Sequence, residues 1–380
     1  MAEVLPQLLR VTELTDGTEM GLRSAGVFAG ALAVAGRTDE AAARMQTVEQ
    51  QAVDLGQFRL ASVVAAGLVN LLRAAGHLEK ALTATERMKD HTRKAGLGRW
   101  TQLEDELRRL QILNELGRYE EVLTTVRTWW EEMNTWPQSS GEDETAPPWN
   151  TREVLLATGQ TAALRLQRFE EALSLNAEIV RVTVDRGATK LEVAKTRFND
   201  YSPLLRLQRH SEASSLLYQC LAIFEADGGI TELSFAHSAI ADLESEFRHF
   251  PEAVRHQSAA LRIGHSVLEP GDSAINHFNL AKYLMSSHAD RRVALAHRLA
   301  SALIRYQMNH GELPSDIRAL REDLAQLSPS DVPASFDEVC ALVEKTEGVR
   351  FRELFSRLPQ RAASGDEALR AVLEMARAAE

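Results

Sequence analysis

Apolar residues recur three and four positions apart along most of the chain. Val63, Ala66, Val69 and Leu72 do so, as do Leu173, Ala177, Val180 and Val184, and again Phe278, Ala281 and Leu284. That spacing collects side chains on one face of an α-helix and predicts a succession of amphipathic helices. No stretch alternates with period two for long enough to predict a sheet. The longest charge-free runs, Ser24 to Gly36 and Leu60 to Leu72, fall well short of the ~20 residues a membrane-spanning helix needs. They read as buried helices.

Between the helices a short phrase returns: a turn residue, Arg or His, often an aromatic, acids, then Ala. Its copies are Gly36-Arg37-Thr38-Asp39-Glu40-Ala41, Gly76-His77-Leu78-Glu79-Lys80-Ala81 and Gly117-Arg118-Tyr119-Glu120-Glu121-Val122. They continue as Gln167-Arg168-Phe169-Glu170-Glu171-Ala172, Gln208-Arg209-His210-Ser211-Glu212-Ala213 and Arg248-His249-Phe250-Pro251-Glu252-Ala253. A degraded copy runs from His288 to Ala294. The copies recur every 40 or 41 residues, except for one step of 50 that holds a polar, Pro-rich insertion over 137–149. A turn glycine suits a left-handed helix C-cap, and the acids that follow suit the positive end of the next helix. Capping boxes predict further helix starts at Asn150, Thr189, Ser335 and Ser364.

The phrase resembles the tetratricopeptide repeat (TPR), in its longer form near 42 residues, over roughly residues 20–310. Asn279-Leu280-Ala281-Lys282-Tyr283-Leu284 is similar to the family's first helix, with the aromatic displaced by one. The resemblance implies an all-α, right-handed α-solenoid of about seven helix-turn-helix repeats. Residues 311–380 leave the phase and are expected to form a C-terminal helical cap over the end of the array. The stretch from Phe336-Asp337-Glu338-Val339-Cys340 to Phe351-Arg352-Glu353-Leu354-Phe355 resembles the ends of TPR sensor arrays in bacterial STAND-type signalling proteins.

Composition narrows the chemistry. The net charge is −11, so neither nucleic acid nor an anionic membrane is an expected partner. The two cysteines, Cys220 and Cys340, make neither a CxxC motif nor a disulfide framework. The start, Met-Ala-Glu-Val-Leu-Pro, has no basic segment leading into an apolar one, and a cytoplasmic location is expected. No GxxxxGK[ST], HExxH or GxSxG motif occurs, and no catalytic residue, metal or cofactor is expected. Nine of the 11 histidines lie between His210 and His310, without i,i+4 pairing to one another. They are expected to be mostly solvated or groove-facing.

In TPR arrays the first helices line the concave face. The resemblance therefore implies a partner groove formed by Asn70, Arg73, Gln111, Asn114, Thr161, Arg165, Phe198, Asn199, Arg206, Asp242, Asn279 and Lys282. Phe198 and Arg206, eight residues apart, are expected to share one helix face, with Asp242 approaching from the next helix. The function this points to is a non-enzymatic scaffold or sensor for a protein or peptide. Two alternatives stay open. One is a receptor for a short signalling peptide. The other is an enzyme using Asp242, His237 and His277. Trp129, Trp130, Trp136 and Trp149 surround the insertion, either walling it off or offering a sticky edge.

Overall fold

The computed structural model describes residues 4–15, 18–137, 141–267, 269–287 and 290–378. Gln138, Ser139 and Ser140 of the insertion lie outside the described residues, as do His288 and Ala289 of the seventh phrase. Among the described residues every regular element is helical, and the helices follow one another as a repeat solenoid. The chain divides into two units, 1–188 and 189–380.

Unit one opens with α1 (Val4–Leu14) and continues as antiparallel pairs. These are α2 (Glu19–Val34) with α3 (Thr38–Asp54), and α4 (Phe58–Ala74) with α5 (Leu78–Lys94). Next come α6 (Arg99–Glu115) with α7 (Tyr119–Met133), and α8 (Pro148–Arg165) with α9 (Phe169–Asp185). In unit two the first helix of the fifth pair is split into α10 (Lys190–Phe198) and α11 (Tyr201–Arg206), which precede α12 (His210–Asp227). Two unbroken pairs follow: α13 (Ile230–Glu246) with α14 (Phe250–Ser266), and α15 (Pro270–Ser286) with α16 (Arg291–Gln307). The chain ends with α17 (Leu313–Leu324), α18 (Phe336–Glu347), α19 (Phe351–Ser356) and α20 (Gly365–Arg377).

Each turn phrase has a definite physical job. In the first copy, Gly36 N–H bonds to Ala33 O and Arg37 N–H to Leu32 O, which satisfies the last carbonyls of α2. The equivalent long bonds run from His77 to Leu72, Arg118 to Leu113, Arg168 to Ala163, Arg209 to Leu204 and His249 to Glu244. This geometry needs a left-handed residue. Gly36, Gly76 and Gly117 supply it freely, whereas Gln167, Gln208 and Arg248 take φ of 59°, 60° and 62°. Asn309 does the same at φ 50° after α16. The residue that closes each phrase is small and wholly buried: Ala41, Ala81, Val122, Ala172, Ala213, Ala253 and Ala294 are all at 0% exposure. It sits in the first turn of the second helix with no solvent-exposed surface, so a larger side chain would have to displace its neighbours. The Arg of the phrase pairs with the acid three residues on, as in Arg37–Glu40, Arg118–Glu121 and Arg209–Glu212.

Several local expectations change. Val63 and Val184 are exposed, and the buried faces run through Val64, Leu68, Val69 and Leu72 on α4 and through Ala172, Asn176, Ile179 and Val182 on α9. On α9 the face is displaced by about one residue, in phase with the buried closing Ala172, while on α4 Val69 and Leu72 stay within the expected pattern. The capping boxes at Thr189, Ser335 and Ser364 have their side chains on the N–H three residues ahead. At Asn150 there is none. Pro147 and Pro148 start α8 earlier because their fixed φ already suits the first turn. Glu153 instead accepts from Arg186 Nε at 2.6 Å.

The insertion is anchored rather than loose. Glu144 accepts from Trp100 N–H at 3.0 Å, Thr101 N–H at 2.8 Å and the Thr101 hydroxyl at 2.9 Å, and so caps the start of α6 from a distance. Trp136 is buried edge-on against Trp100 and Trp129, with ring centroids 5.0 and 5.9 Å away. A Cβ on Gly98 would fall 2.2 Å from the Glu144 carboxylate. The insertion is thus tied to the start of α6. Its acids and small residues look solvent-bound in sequence, but their bonding partners belong to a helix 43 or 44 residues away. In unit two, α16 is buried on nearly all sides, because α17, α18 and α20 pack on it in addition to α15. Leu299 and Leu303 share one core with Val339, Val343, Phe351 and Phe355. Buried Asp316 fastens α17 by accepting from Arg305 and from Ser301 Oγ at 2.7 Å.

Two predictions follow from these contacts. Arg248→Gly relieves a left-handed arginine and is expected to stabilise the fold by about 1 kcal/mol, while Gly117→Ala costs about as much. Equal and opposite shifts in denaturant midpoint check this, and a destabilised Arg248→Gly protein contradicts it. Glu144→Ala uncaps α6 and is expected to cost about 1–2 kcal/mol. Gly98→Ala displaces the same carboxylate, so the double variant should be little worse than either single one. Fully additive losses in thermal unfolding would show that the two residues act separately.

Candidate functional site

Two recesses occur where three successive first helices expose their last turns. In unit one, α4, α6 and α8 enclose 610 Å³ lined by Arg73, Gln111, Asn114, Glu115, Thr161 and Arg165. Tyr119, Val154 and Ala157 add apolar wall. Arg73 ties α4 to α6 by donating from Nε to Glu115 at 2.6 Å and from Nη1 to Gln111 at 3.1 Å. Asn114 donates from Nδ2 to Thr158 O at 3.0 Å and ties α6 to α8, while its buried Oδ1 has no partner among the described residues. The Thr161 hydroxyl is spent on Ala157 O. Arg165 is exposed and has no ion-pair partner among the described residues. With Glu115 neutralising Arg73, it leaves the recess with one uncommitted positive charge.

In unit two, α11, α13 and α15 enclose 460 Å³ lined by Tyr201, Ser202, Arg206, Asp242, Glu246 and Lys282, with Leu205 and Gln208 at its margin. The Tyr283 hydroxyl, on a fully buried ring, donates to Asp242 Oδ1. Burial and the Asp242 charge push the Tyr283 phenol far above its ordinary range, and they raise Tyr201 in the same way. Both tyrosines therefore stay protonated, and Tyr283 remains a donor to the carboxylate.

Eight of the twelve residues expected in the groove line one recess or the other. The remaining four line neither. Asn70 is exposed on α4, one turn before Arg73. Asn279 is half-buried on α15. Asn199 is the exposed C-cap of α10. Phe198 packs on Tyr201 at 5.0 Å and Phe224 at 6.0 Å. The expected shared face of Phe198 and Arg206 does not form, because the helix breaks between them. Pro203 has no N–H to give to Asn199 O, and the chain tightens to three-residue bonds at Asn199 and Asp200. Ser202-Pro203 was the signal in the sequence for this break.

The histidines depart furthest from expectation. His256, His265, His277 and His297 are buried, and His237 is half-buried. His237 and His256 meet Nδ1 to Nδ1 at 2.9 Å. His265 Nε2 lies 3.0 Å from His277 Nε2, and His277 Nδ1 lies 2.8 Å from His297 Nδ1. Each contact needs one N–H and one lone pair, so His277 donates at one nitrogen and accepts at the other. The outer nitrogens, His265 Nδ1 and His297 Nε2, are buried without a partner among the described residues. Burial holds His265 near 4 and His297 near 3, and drives His277 well below its usual value. His256 falls to about 4 through burial and the nearby His237 and Arg255. Asp242, His237 and His277 bond to Tyr283, His256 and two other histidines respectively, and not to one another. Among the described residues no group of three or more His, Cys, Asp or Glu could hold a metal ion. No described helix is long and apolar enough to cross a membrane.

No protein-family model matches the chain, and no curated protein does. Solved structures with similar helical arrangements include BtubC from P. vanneervenii, at 11% identity and a TM-score of 0.46, covering 66% of this chain and 91% of that one. The apo form of RapI aligns at 12% identity and a TM-score of 0.47, covering 83% and 79%. A Rap protein complexed with competence and sporulation factor aligns at 12% identity and a TM-score of 0.48, covering 78% of each chain.

The buried imidazoles make stability pH-dependent. Their folded pKa values lie below the unfolded value of about 6.5, so the unfolded chain binds protons first as the pH falls. Stability is full above about pH 6.5 and lost between there and about pH 4, at up to about 1.4 kcal/mol per pH unit for each histidine. Urea midpoints followed by circular dichroism should fall from about pH 7.5 to about pH 5, and His277→Gln should flatten the slope. A midpoint unchanged over that range would contradict neutral burial.

Proposed function

We propose that the chain is a non-enzymatic, TPR-like binding module that engages a protein or peptide partner through the exposed faces of its first helices. The observation that carries this is the unit-one recess. Three first helices converge there with Arg165 uncommitted, Gln111 and Asn114 beside it, and apolar wall below. An arginine fork next to an amide suits a carboxylate or backbone carbonyl on a partner, and desolvated arginines are common binding anchors. A sensor role in a signalling protein is the finer form of the same reading.

Capture from native lysate with the immobilised chain, then titration of the captured partner, tests it. Arg165→Glu reverses the anchor charge and is expected to weaken binding by about 2 kcal/mol or more, roughly thirtyfold. Arg181→Glu is the control, since Arg181 lies on second helix α9 and pairs with Glu178 and Asp185. Equal capture by both variants, each with native circular dichroism, would move the binding surface away from this recess.

A further inference from the structure

We infer that the unit-two recess binds a small zwitterion: the ammonium and carboxylate of a free amino acid or of a very short peptide. This rests on the reading that first-helix faces carry ligands, but it concerns a different unit and a ligand of different chemistry.

The recess holds two cations and two anions. Arg206 comes from α11 and Lys282 from α15, while Asp242 and Glu246 come from α13 between them in the chain. None of the four forms an ion pair among the described residues. By contrast, Lys195 on α10 pairs with Glu232 at 2.5 Å and Arg209 with Glu212 at 2.7 Å. Asp242 and Glu246 are four residues apart on one helix and share a face, so two like charges stand side by side in the recess. Asp242 is also fixed in place: its Oδ1 takes the hydroxyl of buried Tyr283, and its other oxygen has no hydrogen-bond partner among the described residues. Lys282 Nζ stands 5.4 Å from the Tyr283 ring centroid, a cation–π contact that holds its ammonium near the recess.

The charge arrangement selects the ligand. A simple cation would gain Asp242 and Glu246 but meet Arg206 and Lys282, and a simple anion would meet the reverse. A molecule with both charges satisfies both pairs at once: its ammonium offers N–H donors to two carboxylates, and its carboxylate accepts from a guanidinium and an ammonium. The 460 Å³ volume falls at the lower end of the roughly 300–1,000 Å³ typical of small-ligand sites. It suits one to a few residues rather than a helix.

Isothermal titration of the full chain at low salt tests this with L-alanine, Ala-Ala-Ala, N-acetyl-Ala-Ala-Ala and Ala-Ala-Ala-amide. The first two probes separate a free amino acid from a peptide. We expect saturable binding of at least one of them, weakened about tenfold or more when either terminus is blocked. Arg206→Gln and Glu246→Gln should each remove most of the affinity, with circular dichroism unchanged. Both side chains are exposed, so neither change burdens the core. Arg165→Glu in unit one should leave the titration as it is. The inference is overturned if neither alanine nor trialanine binds below about 10 mM. It is also overturned if the blocked peptides bind equally well, or if Arg206→Gln and Glu246→Gln bind like the parent. Loss of partner capture in Arg165→Glu alongside a silent titration would leave the binding module standing and remove only the zwitterion site.

Discussion

The structure depends on one constraint, repeated at every turn: the closing residue of the phrase, usually alanine, is wholly buried in the first turn of the second helix of its pair. Its N–H bonds back to the carbonyl of the phrase's Arg or His, as Ala41 does to Arg37 and Ala253 to His249. The same few residues thus end one helix, reverse the chain and start the next. Backbone geometry supplies most of this, and side chains only tune it. This explains how Gln167, Gln208 and Arg248 can stand where glycine stands elsewhere: the paired helices hold the left-handed conformation that the residue alone would avoid.

The buried histidines follow from the same geometry. Antiparallel helices of equal length bring residues about half a repeat apart into register. Hence His237 meets His256, Gln257 meets Asn276, and His277 meets His297, at separations of 19 or 20 residues. A polar seam runs through unit two, extended by Ser238 to Gln257 at 3.3 Å and Asn276 to Ala260 O. Such a seam is stable while its imidazoles are neutral and bonded to one another, because the pairs stand in for the water each ring has lost. Charging any ring breaks that balance, so this part of the core is matched to neutral pH.

The fold was legible because its signal is covalent and periodic. The phrase recurs in phase, and each copy states where one helix ends and the next begins. The recesses were legible in part for the same reason: counting back from each turn found Arg73, Asn114, Arg165, Arg206 and Asp242. What could not be read depends on contacts between distant segments. Glu144 looks like one more acid in a polar loop until its carboxylate is seen on the N–H groups of Trp100 and Thr101. The histidines looked solvated because no two share a helix at ligand spacing, and pairing across helices leaves no local mark. The break at Asn199 was a different kind of miss. Pro203 marks the break locally, whereas the repeat phase by itself predicts an unbroken helix.

Both recesses lie at the same place in the repeat, the last turns of successive first helices, and this has a structural cause. Chain reversal there is handled by backbone bonds and the buried closing residue, so the side chains just before the turn are released from packing. Where such a residue is used structurally, it is tied off, as Arg73 is to Glu115 and Gln111. Where it is not, as at Arg165, Arg206 and Lys282, an exposed charge is left beside a preformed concavity. The repeat fixes where a ligand can sit, and the residues two to six positions before each turn decide which ligand it is. On that basis the two units are built alike and charged differently: one recess keeps a single spare cation, and the other keeps both signs.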